Sequence, residues 1–174
     1  MSKTFVSFFR YYKKVNQNYI IMWNEIINKA KDNITGEIQN RAGINQQQAD
    51  KSIDLAGESS REVLLDEAKQ GNVQQIMSLF RGSKPGASGN PLVQKISNNL
   101  VGKLVSQLGL SPETAGTVET IAVPYLLNLV NQKTGGQDSA PSQQSLMSLL
   151  GGGSGGLASG VTDQLKKGLG GFFK

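Results

Sequence analysis

Five carboxylates stand at four-residue intervals in this sequence: Asp50, Asp54, Glu58, Glu62 and Asp66. On a helix that spacing puts neighbours on one face, and the row drifts slowly around the axis because about 3.6 residues complete a turn. Like charges so placed repel by about 0.2–0.5 kcal/mol per pair. Two chemistries suit such a row: a docking face for a basic partner, or a seat for a divalent cation. The plainer alternative is a solvated face balanced by the nearby Lys51, Arg61 and Lys69, which is what charged helix faces usually are.

Two other segments carry patterned chemistry. Near the C-terminus, Leu157, Val161, Leu165, Leu169, Phe172 and Phe173 recur close to every fourth residue, with Lys166 and Lys167 off that line. A short amphipathic helix of this kind touches a membrane surface, with Leu165, Leu169, Phe172 and Phe173 as its contacts. Gly160, Gly168, Gly170 and Gly171 weaken an isolated helix by about 1 kcal/mol each relative to alanine, so a terminal helix packed on the core, or a free tail, is the alternative. At the other end, Phe5, Phe8, Phe9, Tyr11, Tyr12 and Tyr19 interleave with Lys3, Arg10, Lys13 and Lys14, with no acid before Met22. Basic and aromatic residues together bind nucleic acid by charge and stacking, or sit at a lipid interface. A third reading has translation starting at Met22, leaving residues 1–21 outside the functional protein.

Much chemistry is excluded. The 174 residues contain neither cysteine nor histidine, which removes disulfides, thiolate and imidazole metal sites, Cys–His or Ser–His nucleophiles and a histidine pH switch. The run Gly151-Gly-Gly-Ser-Gly-Gly lacks the spacing of a phosphate loop, and no strand precedes it. Acids elsewhere form no paired motif. The expectation is a protein that is no enzyme and takes no cofactor. The net charge of +5 does not indicate a nucleic-acid domain, because residues 1–21 hold four of those charges and the rest has 14 basic against 13 acidic residues. No apolar run is long enough to span a bilayer, and the N-terminus lacks the apolar core of a secretory signal, so a cytoplasmic location is expected.

The elements that would position these residues come from an internal repeat. Residues 26–44 lie over residues 92–110 at an offset of 66: Lys29 on Lys95, Asn33 on Asn99, Gly36 on Gly102, Gly43 on Gly109, with Ile26, Ile34, Ile38 and Ile44 on leucines. The offset runs on through Ala49 and Ala115, and after a short insertion Met77-Ser-Leu-Phe80 meets Met147-Ser-Leu-Leu150. We read a tandem duplication of a unit of roughly sixty residues.

Each unit reads as three helices. Apolar residues at 26/27, 30, 34 and 38, and at 92/93, 96, 100, 104 and 108, follow the helical period of one buried stripe. Gly43 and Gly109 supply left-handed stops. Asn45 with Gln48 forms a capping box, and Ser111-Pro-Glu opens the corresponding helix of the second copy. Ala49, Ile53, Ala56, Val63, Leu64 and Ala68 make one apolar side; Ala115, Val118, Ile121, Tyr125, Leu126 and Leu129 make the other. Gly57 and Pro124 predict a kink or break in each. A third helix is expected from Asn72 to Arg81, and its counterpart from Ser142 to Leu150. Asn24 and Glu25 suit the start of the first helix, with Trp23 as a core anchor beside it.

The patterns IxxKxxxxxxGxI…AGIxxxxA, LGLSxxxA and MSLLGGG resemble those of the bacterial YidB-like proteins, a family of unknown function, over about residues 22–156. The resemblance implies an all-helical fold and assigns no catalytic residue. The sequence therefore predicts an all-α protein: two tandem copies of a three-helix unit packed together, followed by a glycine-rich C-terminal tail. Its divisions are a basic aromatic extension (1–21), repeat one (22–82), a linker (83–89), repeat two (90–152) and the tail (153–174). The expected function is a non-enzymatic helical interaction or assembly module, acting on a protein partner or on itself. A peripheral membrane protein using its tail is the first alternative, and a weak nucleic-acid binder using its N-terminal extension the second.

Overall fold

In the computed structural model the described residues are 3–80, 89–134 and 145, with side chains described from Ile21 onward. They form five helices and no strand: α1 (Lys3–Ala42), α2 (Gln46–Lys69), α3 (Val73–Leu79), α4 (Pro91–Leu108) and α5 (Pro112–Thr134). The all-helical fold class is as the sequence predicts. The glycine-rich tail and all of the expected helix 142–150 except Ser145, which is helical, lie outside the described residues.

The stops and starts are local chemistry. Gly43 and Gly109 both sit at φ +65°, a left-handed conformation that only glycine adopts cheaply, and so turn the chain after α1 and α4. The Asn45 side chain accepts from the Gln48 amide at 2.9 Å, while the Asn45 amide donates to the Gln48 side chain at 3.2 Å, closing the capping box of α2. Ser111 Oγ accepts from the Thr114 amide at 3.1 Å and starts α5. Asn90 caps α4 through the Leu92 amide at 2.9 Å.

Three expectations are corrected. Asn24 is no cap, because α1 runs without interruption from Lys3 through Met22 to Ala42. The residues around Asn24 satisfy the helical period in both directions, so nothing in the backbone stops there. Gly57 and Pro124 do not break α2 and α5, each of which is one continuous helix. Packing on two neighbours offsets the lost hydrogen bond at Pro124 and the entropy at Gly57. Finally, α3 is shorter than expected, Val73–Leu79.

α1 and α2 are antiparallel: Gly57 lies against Ile27, Asp54 against Lys31 and Asp50 against Thr35. α4 and α5 form the second hairpin. α1 packs on α2 and α5, α4 packs on α2 and α5, and α2 meets α5 between them. The stripe Ile26, Ala30, Ile34, Ile38 of α1 and the stripe Leu92, Val93, Ile96, Leu100, Leu104 of α4 are buried, as their period requires. Trp23 is buried at 4% exposure. Burial of each such large side chain contributes about 1.5–3 kcal/mol, which is what holds helices too short to stand alone. α3 follows a turn at Gly71 and packs on α2 and α4, burying Val73, Ile76, Leu79 and Phe80.

Candidate functional site

The acidic row of α2 is committed to bonds within the chain. Thr35 of α1 donates to Asp50 at 2.8 Å, and Lys31 of α1 pairs with Asp54 at 2.7 Å. Further along, Lys103 of α4 reaches both Glu58 (3.0 Å) and Glu62 (2.8 Å). Gln70 donates to Asp66 at 2.9 Å. The drift of the row explains the change of partner. Each four-residue step advances the row by about 40° around the axis, so it begins over α1 and moves toward α4.

These carboxylates remain partly open to solvent; Glu58 and Glu62 are 49% exposed. Lys31 and Lys103, from the neighbouring helices, pair with Asp54, Glu58 and Glu62 of this row. Lys103 itself is only 17% exposed. Burial pulls its pKa down, but hydrogen bonds to Glu62 and Glu58 outweigh that, and the net shift is upward. Glu58 is held below the ordinary 4.5 by its hydrogen bond to Lys103, against the opposing effect of burial, with the charge of Lys51 adding to the lowering. The divalent-cation reading is also corrected: among the described residues no three acidic side chains converge as metal ligands. Along the row the partners are Thr35, Lys31, Lys103 and Gln70 in turn, and only Glu58 and Glu62 share one.

The cluster that sequence reasoning missed lies one residue past the row. Glu67 is 2% exposed, and its carboxylate accepts from Lys95 of α4 and, at 2.7 Å, from Asn72 at the start of α3. These two hydrogen bonds, Lys95 first, hold its pKa below 4.5 although burial pushes the other way. One side chain thus ties α2, α3 and α4 together. The repeat contained a signal: Lys95 is the counterpart of Lys29. Nothing in the spacing, however, marks Glu67 as the buried acid beside the exposed Asp66.

Three surface notches accompany these contacts. One of about 490 Å³ lies on the Glu67–Lys95 seam and is lined also by Glu62, Asp66, Lys69 and Asn99. A second, about 680 Å³, lies at the start of α2 between Gln46, Gln47, Asp50, Lys51, Asp54 and Leu108. The third, about 280 Å³, is at the α1–α5 crossing between Ile26, Lys29, Leu129, Gln132 and Lys133. There Lys133 pairs with Glu25 at 2.5 Å, fixing the end of α5 beside α1.

The candidate membrane contacts Leu165, Leu169, Phe172 and Phe173 lie outside the described residues. Among the described residues, no helix is long and apolar enough to cross a membrane. A comparison with protein-family models, with curated proteins and with solved structures finds no match to this chain.

Proposed function

We propose that this protein is a non-enzymatic, cytoplasmic helical interaction module, built by duplication of one three-helix unit and akin to the YidB-like proteins. The observation that carries the reading is the length of α1. At the 66-residue offset Pro91, the first residue of α4, aligns with Glu25, yet α1 begins about twenty residues earlier, at Lys3. Among the described residues, α1 reaches about twenty residues beyond the level of Thr134 of α5, and an extended helix of this kind offers a docking element. The paired helical units support the same view. Their charged groups join helices to one another.

The duplication draws support from agreement in detail. Gly43 and Gly109 share φ +65°, Ala49 and Ala115 are both fully buried, and each first helix packs on the second helix of both units.

The test uses the full chain as bait in a native extract beside a full-length Phe8→Ser/Phe9→Ser variant. The expected outcome is a partner, or a second copy, captured by the first and lost by the second, with helical content unchanged. Equal capture by both would remove the extension from the reading. A carboxylate whose neutral substitution abolishes a measured turnover without unfolding would replace the module by an enzyme.

A further inference from the structure

α3 lies on a seam between helices of different units. It packs on α2, which precedes it, and on α4, the first helix of the second unit, and it buries Val73, Ile76, Leu79 and Phe80 there. Gln74, Gln75 and Ser78 stay exposed on its outer side. Exchanging the two units turns this seam into the one between α5 and α1, because each first helix packs on the second helix of both units. The notches on the two seams agree in register. Lys29, Leu129, Gln132 and Lys133 at the α1–α5 crossing stand at the 66-residue offset from Lys95, Val63, Asp66 and Glu67 on the α2–α4 seam. Beside that second notch α3 begins, where Asn72 donates to Glu67 at 2.7 Å.

Among the described helices, none holds on the α1–α5 seam the place that α3 holds on the other. The sequence beyond Thr134 supplies a match. Residues 146–150, Leu-Met-Ser-Leu-Leu, repeat residues 76–80, Ile-Met-Ser-Leu-Phe, at an offset of 70. The buried Ile76, Leu79 and Phe80 thus meet Leu146, Leu149 and Leu150, and the exposed Ser78 meets Ser148. Of the buried positions only Val73, in the first turn, meets a polar residue, Gln143. Ser145, which is helical, stands at the place of Gln75 inside α3. The change of offset from 66 to 70 lengthens the connection and does not strain it: the step from Thr134 to Gln143 spans up to about 30 Å when extended.

We propose that residues 143–150 of this chain occupy the α1–α5 seam at Ile26 and Leu129, with Leu146, Leu149 and Leu150 turned inward, as α3 occupies the seam between α2 and α4. Two observations name this occupant: the equivalence of the two seams and the repeat of the helix seated on one of them. Neither residues 1–21 nor residues 157–173 repeat α3 in this way. The proposal rests on the duplication within the interaction reading, and it sharpens that reading: this crossing is filled by the chain itself, so a partner is captured on another face.

The chain has no cysteine, so two introduced into the full-length protein can form only one disulfide within it. One thiol is placed by Lys29→Cys or by Gln132→Cys, exposed residues on either side of the notch, and the other at each position from 144 to 150 in turn. Because a disulfide needs Cβ atoms about 3.5–4.5 Å apart, the yield under mild oxidation is expected to peak at 146, 149 and 150 and to be at least about five-fold lower at 144 and 148. The bond should form within one molecule, and the reduced variants should melt as the parent does. Yields without a helical period would overturn the seat, as would no disulfide from either notch position. Disulfides found only between molecules, read as dimers on a non-reducing gel, would give the seam to a second copy and overturn it too. A chain with the periodic disulfides that captures no partner from the extract defeats the interaction reading alone. Capture by a chain without those disulfides defeats the seat alone.

Discussion

α2 and α5 occupy equivalent places and bury equivalent positions with opposite chemistry. Counted at the 66-residue offset, Ser52 stands where α5 has Val118, Gly57 where it has Val123, Ser60 where it has Leu126 and Leu64 where it has Val130; all eight are buried. α5 fills its core side with branched side chains. α2 keeps its core side small, so that a Cβ at Gly57 would stand 2.8 Å from the Ile27 side chain, and α1 can come close. What α2 lacks in apolar volume is made up at its flanks, where Lys31, Lys95 and Lys103 arrive from two helices. One middle helix is held by packing and the other by small residues framed with charge. The same burial pattern can thus be stabilised in two ways that respond differently to mutation, pH and salt.

The largest expected effect tests the packing half. Leu126→Ala removes a fully buried side chain from α5 and should cost about 2–5 kcal/mol, read as the shift in a urea unfolding curve. Its counterpart Ser60→Ala loses only a hydroxyl that donates to the Ala56 carbonyl at 2.8 Å, and should cost less than about 1 kcal/mol. Equal costs would dissolve the distinction between the two helices.

Next comes the buried acid. Glu67→Ala leaves Asn72 without its acceptor and Lys95 without its counter-charge, a loss of about 2 kcal/mol. Glu67 and Glu58 both have folded pKa values below the unfolded 4.5. Their contribution is therefore complete above about 4.5 and is lost as pH falls through the depressed values. Unfolding free energy measured at pH 7 and pH 3 should fall with acid in the parent chain, and fall less in Glu67→Ala. An equal fall in both would place the acid sensitivity elsewhere.

Lys103→Gln is a smaller probe of the same frame. It removes the cation shared by Glu58 and Glu62, which are half exposed, so about 1 kcal/mol is the expected loss. Part of the difference from the parent should disappear in high salt, where exposed pairs are screened. A loss unchanged by salt would assign Lys103 a packing role through its stem.

The division between packing and charge also marks what the sequence could reveal. Period and punctuation are local, so the stripes of α1 and α4, Gly43, Gly109 and the Asn45–Gln48 box were legible. The core side of α2 was less so: Ala49, Ile53, Ala56, Leu64 and Ala68 were found, but Ser52, Leu55, Gly57, Ser59 and Ser60 are buried too. A polar or small residue facing inward has no signature of its own. The partners of the acidic row were illegible for a different reason. Lys31 and Lys103 lie 23 and 41 residues or more from the acids they meet, and only the packing of α1 and α4 on α2 brings them there. Where α1 begins was misread because Asn24 can cap a helix but need not.

The smallest prediction has the opposite sign. Ser59 is fully buried in α2, and its hydroxyl has no hydrogen-bond partner among the described residues, whereas Ser52 and Ser60 donate to carbonyls one turn back, at 2.7 and 2.8 Å. Burying a hydroxyl without a bond costs about 1–3 kcal/mol, and alanine is the better helix former. If α2 tolerates small residues for close approach and not for their polarity, Ser59→Ala keeps the volume and removes the penalty. It should raise stability by about 0.5–1 kcal/mol, a Tm increase of about 2–5 °C for a chain of this size. Ser52→Ala and Ser60→Ala, which break bonds, should not raise it. The measurement is a thermal melt of the three single variants beside the parent. A drop for Ser59→Ala comparable to the other two would mean that its hydroxyl is bonded in solution, and the small core side of α2 would then be polar by design.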